Sequence, residues 1–378
     1  MNRPQERTQV LHVVCGLASQ GGVMAFAETA ATSPVEGVDQ LVWKHREYAG
    51  RDGVAWVRGG VARATDMGMR HDWMAGLREG AVLRRWLGPR LAAGERWVLH
   101  AHSRVGALAA AIAGRSTRCP TLIHLHKLSG QPWVYRFLVR WGRAGWVFNS
   151  QRTRRHHGVP EGGARVIYPP VRWPEAPAPD GGGGRWVAAG AFVRVKQFDR
   201  LLRAAEVLKP ESGGATWPGA ILGRSSPPVD PVHDAELAAL AASVGGVELR
   251  PYSGAWVEFL RGDDVFVHPA DLEAYGIVVL EAFARGCRMV VPPESVLDEL
   301  GGDWRDAGGV VVASTTQPEG LAAAMRKARL EEGTADERWR RRRGVAGSVS
   351  VEECVCQLSG LYRSLSDTNR CFRNSSRP

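Results

Sequence analysis

The fold is decided by one stretch, Asp264-Val-Phe-Val-His-Pro-Ala-Asp-Leu-Glu273-Ala-Tyr-Gly-Ile-Val-Val-Leu-Glu281-Ala-Phe-Ala-Arg-Gly286. It opens with an apolar, β-rich run at residues 265–267, which predicts a buried strand. Residues 277–284 then follow helical spacing and stop at Gly286, and residues 289–291 predict a second short strand. Strand, acidic loop, helix and strand together make one α/β unit.

Two glutamates flank the predicted start of this helix. Glu273 lies on the loop, and Glu281 follows eight residues later in the first turns of the helix. Amide groups at a helix start form an anion site with the helix dipole, and Gly276 lets backbone approach the anion closely. Carboxylates on both sides of a phosphate site suit a nucleotide-sugar, one for the sugar and one for the ribose. Two surface glutamates on a solvated helix, or the carboxylate pair of a glycosidase, are the alternative interpretations.

The spacing of these glutamates resembles a known signature. Glu273, seven intervening residues and Glu281, in the setting HPADLEAYGIVVLEAFARG, are similar to the Glu-x7-Glu motif of retaining GT-B glycosyltransferases of the family 4 type, glycosyl transferases group 1. The resemblance implies an α/β fold of GT-B type, with two Rossmann-like domains that face each other across a cleft. It implies that Glu273 contacts the donor sugar and Glu281 the ribose. The backbone that would hold the diphosphate is that of Tyr275, Gly276, Ile277 and Val278.

A second loop carries the cations that such a donor needs. The predicted strand at residues 185–190 leads into Ala191-Phe-Val-Arg-Val-Lys196. In the family that this loop resembles, an Arg one residue after the Gly and a Lys five further on hold the diphosphate. Lys196 matches, but the arginine position is Ala191, so we expect Arg194 to supply the missing charge. A lysine on a solvated turn is the alternative interpretation.

The N-terminal segment has a similar order of elements. Residues 10–14 predict a strand, residues 15–22 a Gly-bearing loop, and residues 23–31 a helix. This is the general geometry of a phosphate cradle, although the loop is neither a P-loop nor Gly-x-Gly-x-x-Gly. Its resemblance to the N-terminal Gly-Gly loop of the family implies that Gly21 and Gly22 lie near the donor phosphates. A tight turn is the alternative interpretation.

Two further predicted strands, at residues 97–102 and 121–126, each end in a histidine. Strand ends line the crevice of an open α/β sheet, where an imidazole can donate a hydrogen bond to a sugar hydroxyl or a phosphate. We expect His126 to act near the reacting sugar and His102 to contact the donor, with a structural role as the alternative for His102. His100 and His124 alternate with them along the strands and are expected to face into packing.

Residues 132–143 predict an amphipathic helix in which tryptophan and phenylalanine alternate with arginine. Interleaved arginines and aromatic rings can stack on nucleic acid bases. Helical spacing favours another interpretation, with the aromatic side chains in the core and the arginines in solvent.

Composition divides the chain into two domains. Residues 172–184 are rich in Pro and Gly and predict a linker between an acceptor domain at 1–171 and a nucleotide-sugar-binding domain at 185–345. A closing helix at 346–365 and a polar, disordered tail at 366–378 complete the predicted organisation.

The chain of 378 residues is 44% hydrophobic and 23% charged, which is ordinary for a globular protein. Its net charge of +10 predicts attraction to an anionic donor, a phospholipid surface or a nucleic acid. The N-terminus has no signal-peptide core and no run reaches membrane-spanning length, so we expect a cytoplasmic protein with peripheral membrane contact as an option. Its six cysteines have poor spacing for zinc, and we expect neither metal nor cofactor.

The family resemblance implies a retaining, metal-independent transferase, and we expect it to move a hexose-type sugar from a UDP- or GDP-linked donor to an acceptor hydroxyl. The acceptor is open between a glycan, a lipid-linked molecule, a small molecule and modified DNA. A DNA-modifying glycosyltransferase or nucleic-acid-binding protein is the first alternative, because the charge is basic. A sugar-nucleotide epimerase or hydrolase on the same fold is the second.

Overall fold

A computed structural model describes residues 7–15, 22–44, 55–58, 69–181, 184–209, 217–226, 228–251, 253–300, 302–305 and 307–374. The chain forms two compact units, one of residues Met1–Pro170 with Val351–Pro378 and one of residues Val171–Ser350. Within the described ranges, no helix combines the length and the apolar character that crossing a membrane requires.

The first unit alternates strands with helices. Its strands are β1 (Thr8–Val13), β2 (Val38–Lys44), β3 (Trp56–Arg58), β4 (Arg96–Ala101), β5 (Thr121–Leu125), β6 (Gly145–Phe148) and β7 (Arg165–Val166). Its helices are α1 (Gly22–Thr32), α2 (Met69–Ala92), α3 (Arg104–Thr117), α4 (Pro132–Gly142), α5 (Gln151–His156) and the C-terminal helix (Val351–Asn374).

All described strand pairs of this sheet are parallel, in the order β3-β2-β1-β4-β5-β6-β7. The order reverses between β1 and β4, as in a doubly wound sheet, and such a switch point opens a crevice at the strand ends. Side chains alternate across the strands, so the sheet has two packed faces. Leu11, Leu99 and Ile123 share a core with α2, α3 and α4. Val10 and Val98 share another with α1 and the C-terminal helix.

The second unit repeats this plan. Its strands are β8 (Trp186–Ala189), β9 (Gly219–Arg224), β10 (Val247–Pro251), β11 (Val265–Val267), β12 (Arg288–Val291) and β13 (Val310–Val312). Its α-helices are α6 (Phe198–Val207), α7 (Pro231–Val244), α8 (Ile277–Ala284), α9 (Pro318–Arg329) and α10 (Ala335–Arg343). Short 3-10 helices lie at Arg194–Lys196, Trp256–Phe259, Val296–Glu299, Gly302–Trp304 and Ala346–Val349.

The described strands of the second sheet are also parallel, in the order β10-β9-β8-β11-β12-β13. Trp186, Ile221 and Val290 pack on one face against Leu201 of α6 and Leu321 of α9. The reversal falls between β8 and β11. Two doubly wound parallel sheets confirm the predicted α/β fold of two Rossmann-like domains.

The C-terminal helix differs from the sequence interpretation. It runs without a break to Asn374 and counts with the first unit, whereas the prediction ended a helix at residue 365 and placed a polar tail after it. Cys354, Leu358 and Tyr362 recur at four-residue spacing and pack in the first unit's core. Beyond residue 365 the sequence is polar but lacks Gly and Pro until Pro378, and polar residues alone do not end a helix.

Candidate active site

The switch point of the second sheet brings two loops together. β8 and β11 pair directly, although β9 and β10 lie between them in the sequence. β8 is followed by Gly190 and the 3-10 helix that ends at Lys196, and β11 is followed by His268 and the loop that begins α8. Ligands of open α/β sheets bind outside the carboxyl ends of strands at such a point.

An ion pair joins these loops. The Lys196 ammonium donates to Oε2 of Glu273. The same oxygen lies 3.8 Å from Nε2 of His268, and Oε1 accepts from the Ala274 amide at 3.1 Å. The side chains of Lys196 and Glu273 are 21% and 23% exposed, so the pair is sheltered and still reachable from solvent.

The protonation states follow from this arrangement. Burial acts to raise the pKa of Glu273, but the Lys196 ammonium and His268 outweigh it and hold that pKa below its usual value. Burial lowers the pKa of His268 to about 4. At neutral pH Glu273 is therefore a carboxylate and His268 a neutral imidazole.

The loop that carries Glu273 is tied to the start of α6 through Asp271. Its Oδ1 accepts from Nε2 of Gln197 at 2.6 Å, and its Oδ2 accepts from Arg200 at 3.1 Å and Thr316 at 3.3 Å. Gln197 adopts left-handed backbone, with φ +54°. These contacts hold the loop after β11 against the start of α6 and against Thr316, and they thereby fix the position of Glu273.

The start of α8 has the geometry of an anion site. Gly276 precedes the helix at φ +81°, and a Cβ there would lie 3.2 Å from Cγ of Glu273. Among the described residues no side chain caps the helix, so the amides of Ile277 and Val278 point outward without intrahelical acceptors. Tyr275, which precedes Gly276, is buried.

Glu281 is held by a residue that the sequence interpretation missed. Trp256 Nε1 donates to Oε2 of Glu281 at 2.9 Å. Burial raises the pKa of Glu281, and the bond from Trp256 opposes that rise. The indole thus fixes one of the two carboxylate oxygens.

The first unit carries a histidine cluster at its own switch point. It consists of His12, His100, His102, His124 and His126, which lie on β1, β4 and β5 or directly after them. Neighbouring ring centroids are 4.0–5.4 Å apart. Residues 100 and 102, like 124 and 126, are two apart on a strand and therefore share one face.

A chain of hydrogen bonds assigns the tautomers in this cluster. Gln40 Nε2 donates to two backbone carbonyls, so its Oε1 accepts from Nε2 of His12 at 2.9 Å. His12 Nδ1 then accepts from Nε2 of His102 at 3.0 Å, and His102 Nδ1 accepts from Nε2 of His126 at 3.0 Å. Burial lowers the pKa of His12 to about 4 and that of His126 to about 3, so the chain is neutral.

This geometry corrects the expectations for the histidines. His102 is 4% exposed, and both of its ring nitrogens are used by other histidines, so it does not present a donor to a ligand. His100 and His124 were expected to face into packing, and both are buried. They also lie in the same cluster as His102 and His126, because alternation along a strand returns every second side chain to one face.

Comparison with known proteins finds a family match in the second unit. Residues 173–343 match the family model described as Glycosyl transferases group 1. The enzyme class predicted from the sequence, a glycosyltransferase, agrees with this match. No curated protein matches the chain.

Solved structures share the fold of the whole chain. Anabaena HepE in complex with UDP and glucose aligns with a TM-score of 0.70 at 14% identity, over 95% of this chain and 100% of that one. The sucrose-phosphate synthase of Thermosynechococcus elongatus aligns at 0.71 and 14%, over 96% and 100%. The α,α-trehalose 6-phosphate synthase of Burkholderia multivorans aligns at 0.66 and 14%, over 99% of each. At this identity the likeness establishes the GT-B fold.

Within the second unit, the structure brings several predicted site residues together and leaves Arg194 out. Lys196, Glu273 and Gly276 are brought together with His268, which follows a strand directly, as His102 and His126 do. That shared position after a strand is the signal that would have found His268.

Arg194 contacts residues outside this site. Its side chain is 61% exposed and lies 3.0 Å from Oε2 of Glu236 and 3.9 Å from Oδ2 of Asp230. The predicted replacement for the arginine missing at Ala191 is thus engaged by two carboxylates of the α7 region.

Two predictions for the first unit remain. Gly21 lies outside the described residues, and Gly22 is the first residue of α1 rather than the end of a loop.

The favoured interpretation of α4, with its aromatic side chains in the core, is wrong. Trp133, Phe137 and Trp141, here called the aromatic stripe, are 61%, 52% and 36% exposed, because smaller side chains such as Val134 and Leu138 fill the core instead.

Proposed function

We propose that this protein transfers a sugar from a nucleoside-diphosphate sugar to an acceptor hydroxyl. The observation that carries the proposal is the Lys196–Glu273 pair beside the open start of α8, at the switch point of the glycosyltransferase domain. A cation and a helix start suit a diphosphate, and a carboxylate next to them suits sugar hydroxyls. HepE was solved with UDP and with UDP-glucose, which supports a UDP-sugar as the first donor to test.

In the proposed complex, the diphosphate lies on the amides of Ile277 and Val278, and the Lys196 ammonium neutralises the charge that grows as the glycosidic bond breaks. This is electrostatic stabilisation of a leaving group by groups fixed in advance. Gly276 allows the phosphate to approach because it has no side chain. Lys196 would divide its contacts between Glu273 and the phosphate.

Glu273 orients the sugar in this mechanism. Its low pKa keeps it an acceptor for two hydroxyl groups across the neutral pH range. We propose that transfer is retaining. The acceptor hydroxyl attacks C1 on the face that the diphosphate leaves, the C1–O bond to phosphate breaks, and a phosphate oxygen takes the proton. Glu281 accepts from the ribose, with its carboxylate held by Trp256.

His126 stays a predicted sugar contact of the first unit. The tautomer chain gives its Nε2 proton to His102, so its Nδ1 has a lone pair. His126 would therefore accept a hydrogen bond from a sugar hydroxyl, whereas the sequence interpretation made it a donor.

The test is a thermal-shift panel of UDP-, GDP-, ADP- and TDP-sugars. A ligand at 100 times its Kd stabilises the native state by about 2.7 kcal/mol. We expect a UDP-sugar to raise the Tm of the wild type and not that of Lys196→Ala. Lys209→Ala is the matched control, because Lys209 is a lysine of the same unit that, among the described residues, donates to the Ser243 carbonyl. A Lys196→Ala protein that keeps the full shift would place the donor elsewhere.

We further propose that the aromatic stripe contacts an anionic lipid surface. Its three rings share one face of α4, and the exposed Arg136, Arg140 and Arg143 flank them. Aromatic rings beside arginines suit the interface of an anionic membrane. Sedimentation with vesicles containing phosphatidylglycerol should be lost in Trp133→Ser/Phe137→Ser and kept in Met74→Ser, an exposed apolar residue of α2. Binding to duplex DNA in place of vesicles would instead favour the nucleic-acid alternative.

A further inference from the structure

The histidine cluster contains buried nitrogens that lack a hydrogen-bond partner. Among the described residues, these are Nε2 of His100 and both ring nitrogens of His124. A neutral imidazole has one N–H and one lone pair, and leaving either buried without a partner is costly. Such atoms in a native structure call for a partner that protein side chains do not supply, such as a water or an ion.

The ring nitrogens also converge. One nitrogen from each of His12, His100 and His102 lies within 4.8 Å of the other two. His12 Nδ1 and His102 Nε2 are 3.0 Å apart. A tetrahedral site with metal–nitrogen bonds of about 2.0–2.1 Å has ligand–ligand edges of about 3.3 Å. Small shifts would thus bring these nitrogens to coordination distances.

The other nitrogen of each ring has a partner that fixes it. Nε2 of His12 donates to Gln40 at 2.9 Å. Nδ1 of His100 lies 2.7 Å from the Tyr362 hydroxyl, and Nδ1 of His102 lies 3.0 Å from His126. Metal-bound histidines ordinarily have such a contact on the second nitrogen, because it fixes the ring and the tautomer.

We propose that His12, His100 and His102 bind one divalent first-row transition ion, with Zn²⁺ as the representative. Imidazole suits Zn²⁺, Cu²⁺ and Ni²⁺, and three ligands without a carboxylate disfavour Mg²⁺ and Ca²⁺. The lone pairs used are those of His12 Nδ1, His100 Nε2 and His102 Nε2.

Binding needs only a tautomer change. In the metal-free chain the His102 proton is on Nε2 and points to His12. With the ion bound, that proton moves to Nδ1 and is donated to Nε2 of His126, whose own proton moves to Nδ1. The acceptor role proposed above for His126 Nδ1 thus belongs to the metal-free chain, and with the ion bound Nδ1 would donate to the sugar hydroxyl. Each imidazole keeps one proton, so no net proton is released, and the fourth ligand is a water. The role is structural, since the ion would join β1 and β4 and, through Gln40 and Tyr362, β2 and the C-terminal helix.

The experiment uses the full chain with its affinity tag removed, since a histidine tag binds the same ions. The protein is stripped with a chelator, desalted and titrated with Zn²⁺ by calorimetry and with Co²⁺ by visible absorption. We expect one tight equivalent, a Co²⁺ spectrum typical of four-coordinate nitrogen and oxygen ligands, and a higher Tm. His12→Asn and His100→Asn should each weaken binding at least 100-fold.

The controls separate this site from the rest of the surface. His156→Asn, an exposed histidine of the same unit, and Cys356→Ser, an exposed thiol, should bind Zn²⁺ as the wild type does. Tyr362→Phe removes only the contact to His100 and should weaken binding by about 10-fold. If the histidine variants misfold, X-ray absorption at the zinc edge of the wild type decides, since three imidazoles are expected.

Three results would overturn the proposal. One is a folded wild type that takes up no Zn²⁺, and another is a zinc edge dominated by sulphur or oxygen ligands. The third is loss of binding in His124→Asn with retention in His12→Asn. That result would assign the ion to the overlapping group His102, His124 and His126.

Discussion

The two units share one topology and differ in what lies at the switch point. In the first unit that position holds neutral imidazoles, which contact each other and a tyrosine hydroxyl. In the second it holds Lys196 and Glu273, whose charges offset each other next to an open helix start. The same backbone plan thus supports a neutral, buried cluster in one unit and a charged, accessible pair in the other. The second is the arrangement that suits an anionic donor.

Glu273→Gln tests the charged pair of the second unit, and it is the substitution with the largest expected effect. It removes the acceptor charge and the partner of Lys196 while it keeps the side-chain shape. We expect kcat for sugar transfer to fall by about 10²–10³, the usual loss for one fixed electrostatic group. Steady-state assays with a UDP-sugar and an acceptor check this, with exposed Glu258→Gln as the matched control. Near-normal turnover by Glu273→Gln would remove Glu273 from the mechanism.

His268 tests the pH dependence of the charged site. In the unfolded chain its imidazole binds a proton near pH 6.5, and in the folded protein only near pH 4. The unfolded state therefore binds more protons between these values. Stability from this group is full above pH 6.5 and is lost as the pH falls toward 4, by up to about 3 kcal/mol.

Urea unfolding of wild type and His268→Asn at pH 7, 5.5 and 4.5 measures this contribution. The variant should lose less stability with acid than the wild type does. Equal losses in the two proteins would show that His268 does not resist protonation in the fold.

Gly276→Ala probes the open helix start. Left-handed backbone costs a residue with a Cβ about 1–2 kcal/mol, and the new methyl would lie 3.2 Å from Cγ of Glu273. We expect a lower Tm and a weaker response to the nucleotide-sugar. The control Gly254→Ala has ordinary backbone and no heavy atom within 4 Å of its added Cβ among the described residues, so it should leave both unchanged. A normal nucleotide-sugar response in Gly276→Ala would argue against phosphate at this helix start.

Trp256→Phe is the smallest expected change. It removes the indole donor to Glu281 and keeps an aromatic ring. The pKa of Glu281 should rise further, because the bond from Trp256 opposes the effect of burial. We expect donor affinity to fall by about 5-fold, which a nucleotide titration by calorimetry resolves. An unchanged affinity would show that Glu281 needs no support from the indole.

The sequence predicted the strands, helices and two-domain plan because apolar periodicity and glycines mark them directly. The family resemblance assigned Glu273 to the donor sugar and Lys196 to its diphosphate, but the direct pairing of the two side chains depends on two loops that are 77 residues apart. Trp256 was missed for the same reason, since it contacts Glu281 only in the folded chain, across 25 residues of sequence. Long-range pairing of this kind leaves no local pattern in one sequence.

Other predictions were wrong because they assigned side chains to the wrong face of a strand or of a helix. Residues 100 and 102 share a face by strand geometry, and treating them as alternating separated a cluster that the fold keeps together. In α4 both faces contain apolar residues, and the smaller side chains were buried while the tryptophans were left exposed. The prediction that no metal is needed was argued from cysteine spacing alone, and the zinc titration of the histidine cluster is its test.

The order of the chain through the two units affects synthesis. The second unit is a continuous segment, and its ends meet where the Val171 amide donates to the Val349 carbonyl at 2.9 Å. The first unit is interrupted by it, and the helix with Cys354, Leu358 and Tyr362 is translated only after the whole second unit. The second unit can therefore fold on the ribosome as an inserted cassette. Until that helix has been translated, part of one apolar face of the first sheet stays uncovered.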